Sequence, residues 1–205
     1  MIQLACKIPR KVVLACSGGK DSMSALEFLL KGRREVTVAH FNHGTSHGRH
    51  AHNFLEKFCN DNDLNFTAEV NNDQCPKGVS KEAFWRDKRY KFFQTFSEPV
   101  VMAHHLNDAV EWWIFSSLRG NPNLIPVTRK NPNILRPFLL TPKQEFHKIL
   151  KSYLHIDDPS NQDTSFARNY IRHELGPMCL HVNPGLQKTV KNLYLRKGKL
   201  DAEVK

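Results

Sequence analysis

A glycine-rich turn between a strand and a helix sets the limits on how this chain folds. Residues 11–16 (KVVLAC) form the apolar run typical of a buried strand, and residues 17–22 (SGGKDS) follow at once. A helix with an apolar face is predicted from there to Gly32. In an open α/β sheet, this arrangement points backbone N–H groups and the positive end of a helix dipole at one spot. The sequence therefore predicts a phosphate site at the turn.

The turn is not a Walker A loop. That loop needs a glycine five residues before Gly19, where Leu14 stands, and Ser or Thr after Lys20, where Asp21 stands. The turn therefore indicates a different family of nucleotide-binding proteins.

Short apolar segments alternate with amphipathic ones through the first 140 residues. Further strands are predicted at 35–41, 65–70, 99–103 and, marginally because of Pro137, at 134–140. Helices are predicted at 51–60, 80–96 and 107–118. This alternation is typical of a parallel α/β sheet. We therefore predict an open, parallel, Rossmann-like sheet of five strands with helices on both faces.

The second part of the chain has a different pattern. Residues 120–137 hold four prolines and four asparagines and are predicted to form a long loop. Beyond the last predicted strand, the chain contains only helical patterns. Helices are predicted at 143–154, 164–175 and 186–197. We therefore divide the chain into an α/β domain, residues 1–141, and a small helical tail, residues 142–205.

The charge of the chain favours a polyanionic partner. The formal net charge is +10, and +8 of it lies in residues 81–205. A positive surface of this kind attracts nucleic acid through counterion release. On charge alone, a solvated basic surface that only keeps the protein soluble remains an equal alternative.

Cysteine usage and hydropathy exclude several classes of protein. The five cysteines are widely spaced without a C-x-x-C pair, which argues against a structural zinc ribbon or a thiolate-held iron–sulfur cluster. They indicate a reducing compartment. No window is apolar enough to span a bilayer, and no export signal begins the chain. We expect a cytoplasmic protein, in a bacterium or in a host cell if virus-encoded, without a membrane partner.

Several separated motifs resemble one enzyme family. The SGGxDS turn after a first strand resembles the PP-loop of the N-type ATP pyrophosphatases, which split ATP into AMP and pyrophosphate. Further segments are HFNHG at 40–44, EAFWRDKRY at 82–90, AHHLNDAVE at 103–111 and DPSNQDTSFARNYIR at 158–172. With Arg119-Gly120 and Arg136-Pro137, their order and spacing over residues 11–180 are similar to the tRNA(Ile)-lysidine synthetase family.

The resemblance implies an ATP-dependent ligation on tRNA. In the family, oxygen 2 of the wobble cytidine in the CAU anticodon of tRNA(Ile) attacks the α-phosphorus of ATP and releases pyrophosphate. The side-chain amine of L-lysine then attacks carbon 2, and AMP leaves. Such chemistry asks mainly for alignment and for neutralisation of phosphate charge, with Mg²⁺ as an expected cofactor.

The resemblance also assigns roles to residues. ATP binding is expected at Ser17, Gly18, Gly19, Lys20, Asp21, Ser22, Ala39, His40, Phe41, His43, Arg86 and His104. The expected catalytic residues are Lys20, Asp21, Asp108 and Glu111, with Asp21 and Asp108 as Mg²⁺ ligands. Binding of tRNA is expected at Arg119, Arg136, Arg168, Arg172, Lys188, Lys191, Arg196 and Lys197.

Some of these residues also have ordinary structural interpretations. Asp108 and Glu111 share one face at the start of a helix, which suits a cationic substrate such as lysine but also simple compensation of the helix dipole. Arg86 lies one turn after Glu82 and would form a surface ion pair with it. A zinc site among the histidines at 40, 43, 47, 50 and 52 is a weaker alternative, because no suitably spaced acid or thiolate lies nearby.

The chain departs from the family pattern in two ways. The family usually has two adjacent acids where Asn107-Asp108 stands, so one negative charge near the metal is lost. Larger members carry further carboxyl-terminal domains, so we expect this chain to be a short form, of viral or reduced-genome origin. The alternatives are a PP-loop tRNA cytidine thiolase and a tRNA-binding protein with an impaired site. The sequence is compatible with a homodimer.

Overall fold

The computed structural model describes residues 1–150 and 155–203, with side chains as far as Lys197. The strands are β1 (Lys11–Ala15), β2 (Glu35–Asn42), β3 (Asn65–Val70), β4 (Val100–Val101), β5 (Thr128–Arg129) and β6 (Ile134–Leu135). The helices are α1 (Lys20–Lys31), α2 (Ser46–Asp61), α3 (Lys81–Phe93), α4 (Leu106–Leu118), α5 (Lys143–His147), α6 (Ala167–Tyr170), α7 (Gly176–Val182) and α8 (Leu186–Glu203). None of the helices in this part of the chain is both long and apolar enough to cross a membrane.

The strands form one sheet in the order β3-β2-β1-β4-β6-β5. All neighbours pair in parallel except β5 and β6, which pair antiparallel. The predicted α/β class is confirmed, but the sheet has six strands rather than five. The additional strand, β5, lies inside the segment predicted as a loop. Its two residues are exposed at the sheet edge, and so short a strand leaves no periodic signal in the sequence.

Two predicted strands are shorter in the structure. Only Ile134 and Leu135 of the predicted strand 134–140 pair with a neighbour, because Pro137 cannot donate a hydrogen bond to a ladder. Residues 138–140 are buried without being a strand. Likewise, β4 covers two residues of the predicted 99–103. Burial accounts for the apolar residues at 138–140, whereas the Pro99 carbonyl and the Met102 N–H still form hydrogen bonds to β1 and β6.

The order of the strands creates a crevice at the carboxyl edge of the sheet. After β1 the chain adds β2 and β3 on one side, then crosses to the other side of β1 to form β4. The turns after β1 and β4 therefore lead to helices on opposite sides of the sheet. In doubly wound sheets, ligands bind at this switch point.

Two helices differ from the predictions at their ends. Helix α2 begins at Ser46, five residues before the predicted start at Ala51, because the Thr45 side chain accepts a hydrogen bond of 2.9 Å from the N–H of Gly48. The predicted helix 164–175 is irregular. A 3₁₀ turn (Pro159–Gln162) precedes α6, and a π turn (Ile171–Leu175) joins α6 to α7. At the end of the π turn, a Cβ on Gly176 would lie 2.7 Å from the carbonyl oxygen of Ile171.

The helices after residue 141 pack on helices that flank the sheet. Helix α5 contacts α1 and places the fully buried Phe146 beside Phe138 in the main core, whereas residues 151–154 of the predicted helix 143–154 lie outside the described residues. Helix α8 packs on α4 through Leu186, Val190 and Tyr194. The division of the chain at residue 141 stays a prediction.

Candidate functional site

An open cleft of about 600 Å³ lies at the carboxyl edge of the sheet, over the ends of β1, β2 and β4. Its floor is formed by the turn after β1, by the end of β2 and by the segment after β4. Residues 156–173 from the helical tail form its outer wall. The cleft therefore occupies the switch point of the sheet, where the topology predicts a ligand.

The SGGKDS turn is held open by its own side chains. Gly18 has a φ of +79°, and a Cβ there would lie 3.1 Å from the Ile156 side chain, so a glycine is required. The Ser22 hydroxyl accepts a hydrogen bond of 3.2 Å from the N–H of Ser17 and donates one of 2.9 Å to the Gly19 carbonyl. These bonds fix the curvature of the turn before any ligand binds.

The start of α1 leaves backbone donors for a ligand. Gly19 is the N-cap residue, and no side chain caps the helix. The N–H of Met23 donates to the Gly19 carbonyl at 3.0 Å, so the N–H groups of the three residues before Met23 precede the first helical hydrogen bond. Together with the helix dipole, these groups form an anion site. Lys20, which is exposed, brings a positive charge to the same place.

The tail reaches the turn directly. The N–H of Ile156 donates a hydrogen bond of 3.0 Å to the Gly18 carbonyl, and the Ile156 side chain lies in the cleft. This contact brings Asp157 and Asp158, which also line the cleft, beside the loop that follows β2. One wall of the cleft therefore belongs to a segment that follows the turn by more than 130 residues in sequence.

Three histidines of the cleft are uncharged at neutral pH. Burial lowers the pKa of His40, whose Nδ1 donates a hydrogen bond of 2.9 Å to the Cys16 carbonyl. Burial and the neighbouring charge of Arg89 lower the pKa of His43 to about 4. Burial lowers the pKa of His104 to about 3. These rings therefore offer neutral, polar surfaces to a ligand rather than positive charge.

The acids at the start of α4 are held by reciprocal hydrogen bonds. His105 is the N-cap residue: its Nδ1 accepts from the Asp108 N–H at 3.4 Å, and its own N–H donates to Asp108 Oδ2 at 2.9 Å. Burial would raise the pKa of Asp108, but the neighbouring His105 holds it below its ordinary value. The carboxylate of Asp108, which is 6% exposed, is therefore ionised inside the protein.

Arg172 joins the tail to these acids. Its Nε donates to the two carboxylate oxygens of Glu111 at 3.1 and 3.2 Å, and its Nη2 donates to Glu111 Oε2 at 2.9 Å and to Asp108 Oδ1 at 3.1 Å. The planar guanidinium suits this forked contact. Two carboxylates share one cation, so the group keeps a net negative charge.

Asp21 faces two imidazoles rather than the other predicted metal ligand. Its Oδ1 lies 2.5 Å from His147 Nε2 and 3.3 Å from His105 Nε2. Burial would raise the pKa of Asp21, but both imidazoles hold it well below its ordinary value. The ring of His105 stands between Asp21 and Asp108, with Nδ1 at 3.2 Å from Asp108 Oδ2.

Most of the sequence-predicted residues meet in this cleft. Those that line it are Ser17, Gly19, Lys20, Asp21, Ser22, Ala39, His40, Phe41, His43, His104, Asp108, Arg168 and Arg172. Gly18 is a buried residue of the turn, and Glu111 lies behind Arg172. Those that do not line it are Arg86, Arg119, Arg136, Lys188, Lys191, Arg196 and Lys197.

Two arginines do not lie where the predicted roles suggest. Arg86 is exposed, and its guanidinium lies 5.6 Å from the centre of the Tyr90 ring, whereas Arg89, which follows it by three residues, lines the cleft. Arg136 is only 5% exposed and donates a hydrogen bond of 2.8 Å to the Pro126 carbonyl. Its guanidinium holds the loop before β5 in place. Contact of Arg136 with tRNA stays a prediction.

Sequence reasoning missed several residues of the cleft. His147 and Lys143 reach it from α5, a helix whose sequence carries no motif that we assigned. Asn161 and His173 reach it from the tail. The predicted roles also leave out His105, which precedes the acids of α4. Only the resemblance of the 158–172 segment to the family indicated that the tail contributes to the site.

Asn107, the departure from the family pattern, points away from the cleft. Its Oδ1 accepts a hydrogen bond of 3.0 Å from the N–H of Lys143 and so supports the start of α5. Asn107 is not among the residues that line the cleft. An amide oxygen and a carboxylate oxygen both accept such a bond, so the contact explains how the position tolerates asparagine.

The histidine-rich segment 40–52 does not form the zinc site considered as an alternative. In residues 1–150 and 155–203, the one group of side chains placed to hold a metal ion is Asp21, His105 and His147. None of the five histidines of the 40–52 segment belongs to it.

Replacing Arg172 should destabilise the protein more than replacing its neighbour on the same segment. Arg172→Gln leaves Asp108 and Glu111 without a cation, so we expect a loss of about 2–4 kcal/mol in the free energy of unfolding, measured by urea denaturation. Arg168→Gln, one turn earlier and exposed, should change it by less than about 0.5 kcal/mol. Equal stability of the two variants would contradict the forked contact.

Two tRNA(Ile)-lysidine synthases are similar in sequence to most of this chain. It is 34% identical over 194 residues to the tRNA(Ile)-lysidine synthase of Streptococcus mutans, covering 86% of this chain and 44% of that protein. It is 30% identical over 201 residues to the tRNA(Ile)-lysidine synthase of a Thermotoga species, covering 89% of this chain and 48% of that protein. The chain therefore spans about half the length of the curated relatives it matches.

A solved structure supports the same fold. The U34-tRNA thiolase NcsA from Methanococcus maripaludis superposes with a TM-score of 0.70 at 18% identity, covering 93% of this chain and 73% of that one. The family model of the PP-loop domain matches residues 3–179, which include the turn after β1, the acids of α4 and Arg172. Because this match covers most of the sequence, the chain belongs to the PP-loop domain family.

Proposed function

We propose that this protein ligates L-lysine to carbon 2 of the wobble cytidine in the CAU anticodon of tRNA(Ile), with ATP cleaved to AMP and pyrophosphate. The observation that carries the proposal is the meeting, in one cleft, of an uncapped helix start suited to phosphate and an anionic group suited to an ammonium ion. The names of the relatives, tRNA(Ile)-lysidine synthase, support the same reaction.

The turn after β1 would hold the pyrophosphate of ATP. Cytidine oxygen 2 attacks the α-phosphorus, and the bond to the pyrophosphate oxygen breaks. The free N–H groups at the start of α1 and the charge of Lys20 stabilise the negative charge of the leaving group. The neutral rings of His43 and His104 line the same cleft and suit the uncharged nucleoside portions of the substrates.

The charge of the acids of α4 would attract the lysine. The neutral side-chain amine of lysine attacks carbon 2, and the bond to oxygen 2 breaks, so that AMP departs with that oxygen. Lysine arrives as a cation and releases one proton to water before the attack. Asp108 and Glu111 share the single guanidinium of Arg172, and the negative charge that Arg172 does not balance attracts the cation.

Of the two predicted Mg²⁺ ligands, only Asp21 has a carboxylate placed to hold the ion. Asp21 faces the cleft at the start of α1 and would hold Mg²⁺ together with the phosphates of ATP, where the ion neutralises their charge. Asp108, the other predicted ligand, has Oδ1 in contact with Arg172 and Oδ2 in contact with the His105 N–H. We therefore assign Asp108 to positioning His105 and Arg172.

A basic surface around the cleft would hold the tRNA. Arg168 is exposed at the edge of the cleft, and Arg119 is exposed at the end of α4. The remaining predicted contacts are the α8 side chains Lys188, Lys191, Arg196 and Lys197, none of which belongs to the cluster buried against α4. Guanidinium and ammonium groups in these positions match phosphates of a folded RNA. We place the protein in the cytoplasm, and a homodimer stays a prediction.

Nucleoside analysis tests the reaction. After incubation of the protein with tRNA(Ile), ATP, Mg²⁺ and labelled lysine, digestion and mass spectrometry should reveal a cytidine that has lost its oxygen 2 and gained one lysine. Pyrophosphate release should require both tRNA and lysine for turnover. Modification only with a sulfur donor would indicate the thiolase alternative, and tRNA binding without pyrophosphate release would indicate a binding protein.

Two arginines of α3 should differ in their effect on ATP. Arg89→Gln removes a cation from the cleft, so we expect ATP affinity, measured by isothermal titration calorimetry, to fall by about 10-fold to 100-fold. Arg86→Gln, on the exposed side of the same helix, should change it by less than about 2-fold. The reverse order would restore the sequence-based assignment of Arg86.

The basic side chains of α8 should determine how binding depends on salt. Replacing Lys188, Lys191, Arg196 and Lys197 together by Gln should weaken tRNA binding and reduce the slope of log affinity against log salt by about 0.7–0.9 for each phosphate that the protein no longer neutralises. Gel-shift titrations at several salt concentrations measure the slope. An unchanged slope would show that these side chains only face solvent.

A further inference from the structure

We propose that Asp21, His105 and His147 form a binding site for a divalent first-row transition ion of the Zn²⁺ type. One nitrogen or oxygen atom from each side chain lies within 4.8 Å of the other two. Asp21 comes from the first turn of α1, His105 precedes α4, and His147 ends α5. The inference concerns the free protein and holds whether or not the protein modifies tRNA.

The distances are close to those of a metal site. Asp21 Oδ1 lies 3.3 Å from His105 Nε2 and 2.5 Å from His147 Nε2. A tetrahedral zinc ion with bonds of about 2.0–2.1 Å separates neighbouring ligand atoms by about 3.3 Å. His105 therefore already has the required separation from Asp21, and His147 needs to move by less than about 1 Å. The two imidazole rings lie 6.3 Å apart between centroids.

His105 presents an unpartnered nitrogen to the site. His105 is 1% exposed, and its Nε2 forms no well-aligned hydrogen bond with the described residues, although Asp21 Oδ1 lies 3.3 Å away. Its Nδ1 lies 3.2 Å from Asp108 Oδ2. With a cation bound at Nε2, Nδ1 would carry the ring proton and face Asp108 Oδ2. The cation would also lie beside the Asp21 carboxylate, whose Oδ1 is 3.3 Å from Nε2.

The surroundings of His105 match those of metal-binding histidines. Such residues usually donate their second ring N–H to a carboxylate, which fixes the ring and makes the metal-binding nitrogen more basic. Asp108 takes this place beside His105. It is itself held by the His105 N–H at 2.9 Å and by Arg172 at 3.1 Å. The site therefore has both its ligands and the contacts that orient one of them.

The donor set favours a transition ion over Mg²⁺. Mg²⁺ prefers six oxygen ligands, whereas two imidazole nitrogens and one carboxylate suit Zn²⁺, Co²⁺ or Mn²⁺. Three protein ligands are also typical of sites that keep a position open for another molecule. Here Asp21 and His147 border the cleft, next to the uncapped start of α1. A water molecule or a phosphate oxygen would complete the coordination.

Spectroscopic titration of the chelator-treated protein with Co²⁺ tests the site. We expect the intense visible d–d absorption of four- or five-coordinate Co²⁺ at one equivalent, and its loss on addition of Zn²⁺. His147→Ala should weaken Co²⁺ binding by at least about 100-fold, because even contacts outside the ligand set contribute about 10-fold to 100-fold. His173→Ala is the matched control, since His173 lines the same cleft but bonds to the Asn161 carbonyl.

Thermal unfolding gives a second measurement, which does not depend on the visible absorption of the ion. Zn²⁺ should raise the melting temperature of the wild type and of His173→Ala, but not that of His147→Ala, because a ligand stabilises only the state that binds it. Circular dichroism of the metal-free variants shows that each is folded. Equal Co²⁺ affinity of the two variants, or displacement of Co²⁺ by equimolar Mg²⁺, would overturn the proposal.

Discussion

The cleft depends on β1 lying between β2 and β4 with all three strands running in the same direction. Parallel pairing brings the carboxyl ends of these strands to one edge, so the turn after β1 and the segment after β4 meet there. The switch in strand order separates α1 from α4 and leaves room between them. The start of α1 and the His105 cap of α4 then face the same space. Any ligand of the site must bind at this junction.

The charged side chains of the cleft lie in direct contact with one another rather than apart on its surface. Asp21 contacts two imidazoles, and Asp108 contacts one imidazole and Arg172. Burial by itself would raise the pKa of both carboxyls, but these contacts lower it. Burial would lower the pKa of His105, yet Asp108 and Asp21 raise it above its ordinary value. The site is therefore a connected electrostatic network in which replacement of one member changes the others.

The helical tail completes the cleft. Ile156 bonds to the turn after β1, and Arg172 bonds to the acids of α4, so the tail touches both sides of the switch point. The sequence predicts contact of Arg172 with RNA phosphate. In the structure it is an internal partner of Glu111, because the π turn after α6 directs the guanidinium toward α4.

Local patterns and tertiary packing contributed different parts of this site. The strand, glycine turn and helix around Gly18 could be predicted from sequence, because buried strands and helix starts depend on neighbouring residues. The choice between Arg86 and Arg89 could not, since both occupy helical positions near Glu82 and only packing against the cleft distinguishes them. The length of β6 could not be predicted either, because apolar residues are buried equally well outside a strand.

The amino-acid sequence alone determined the class of fold, the position of the glycine turn after β1 and the acids of α4, because each follows from short-range periodicity or from a motif within ten residues. Tertiary structure alone decided that His147 meets Asp21 and that Arg172 meets Glu111, residues separated by 126 and 61 positions. Contacts over such distances depend on how elements pack in three dimensions, and no local pattern carries that information.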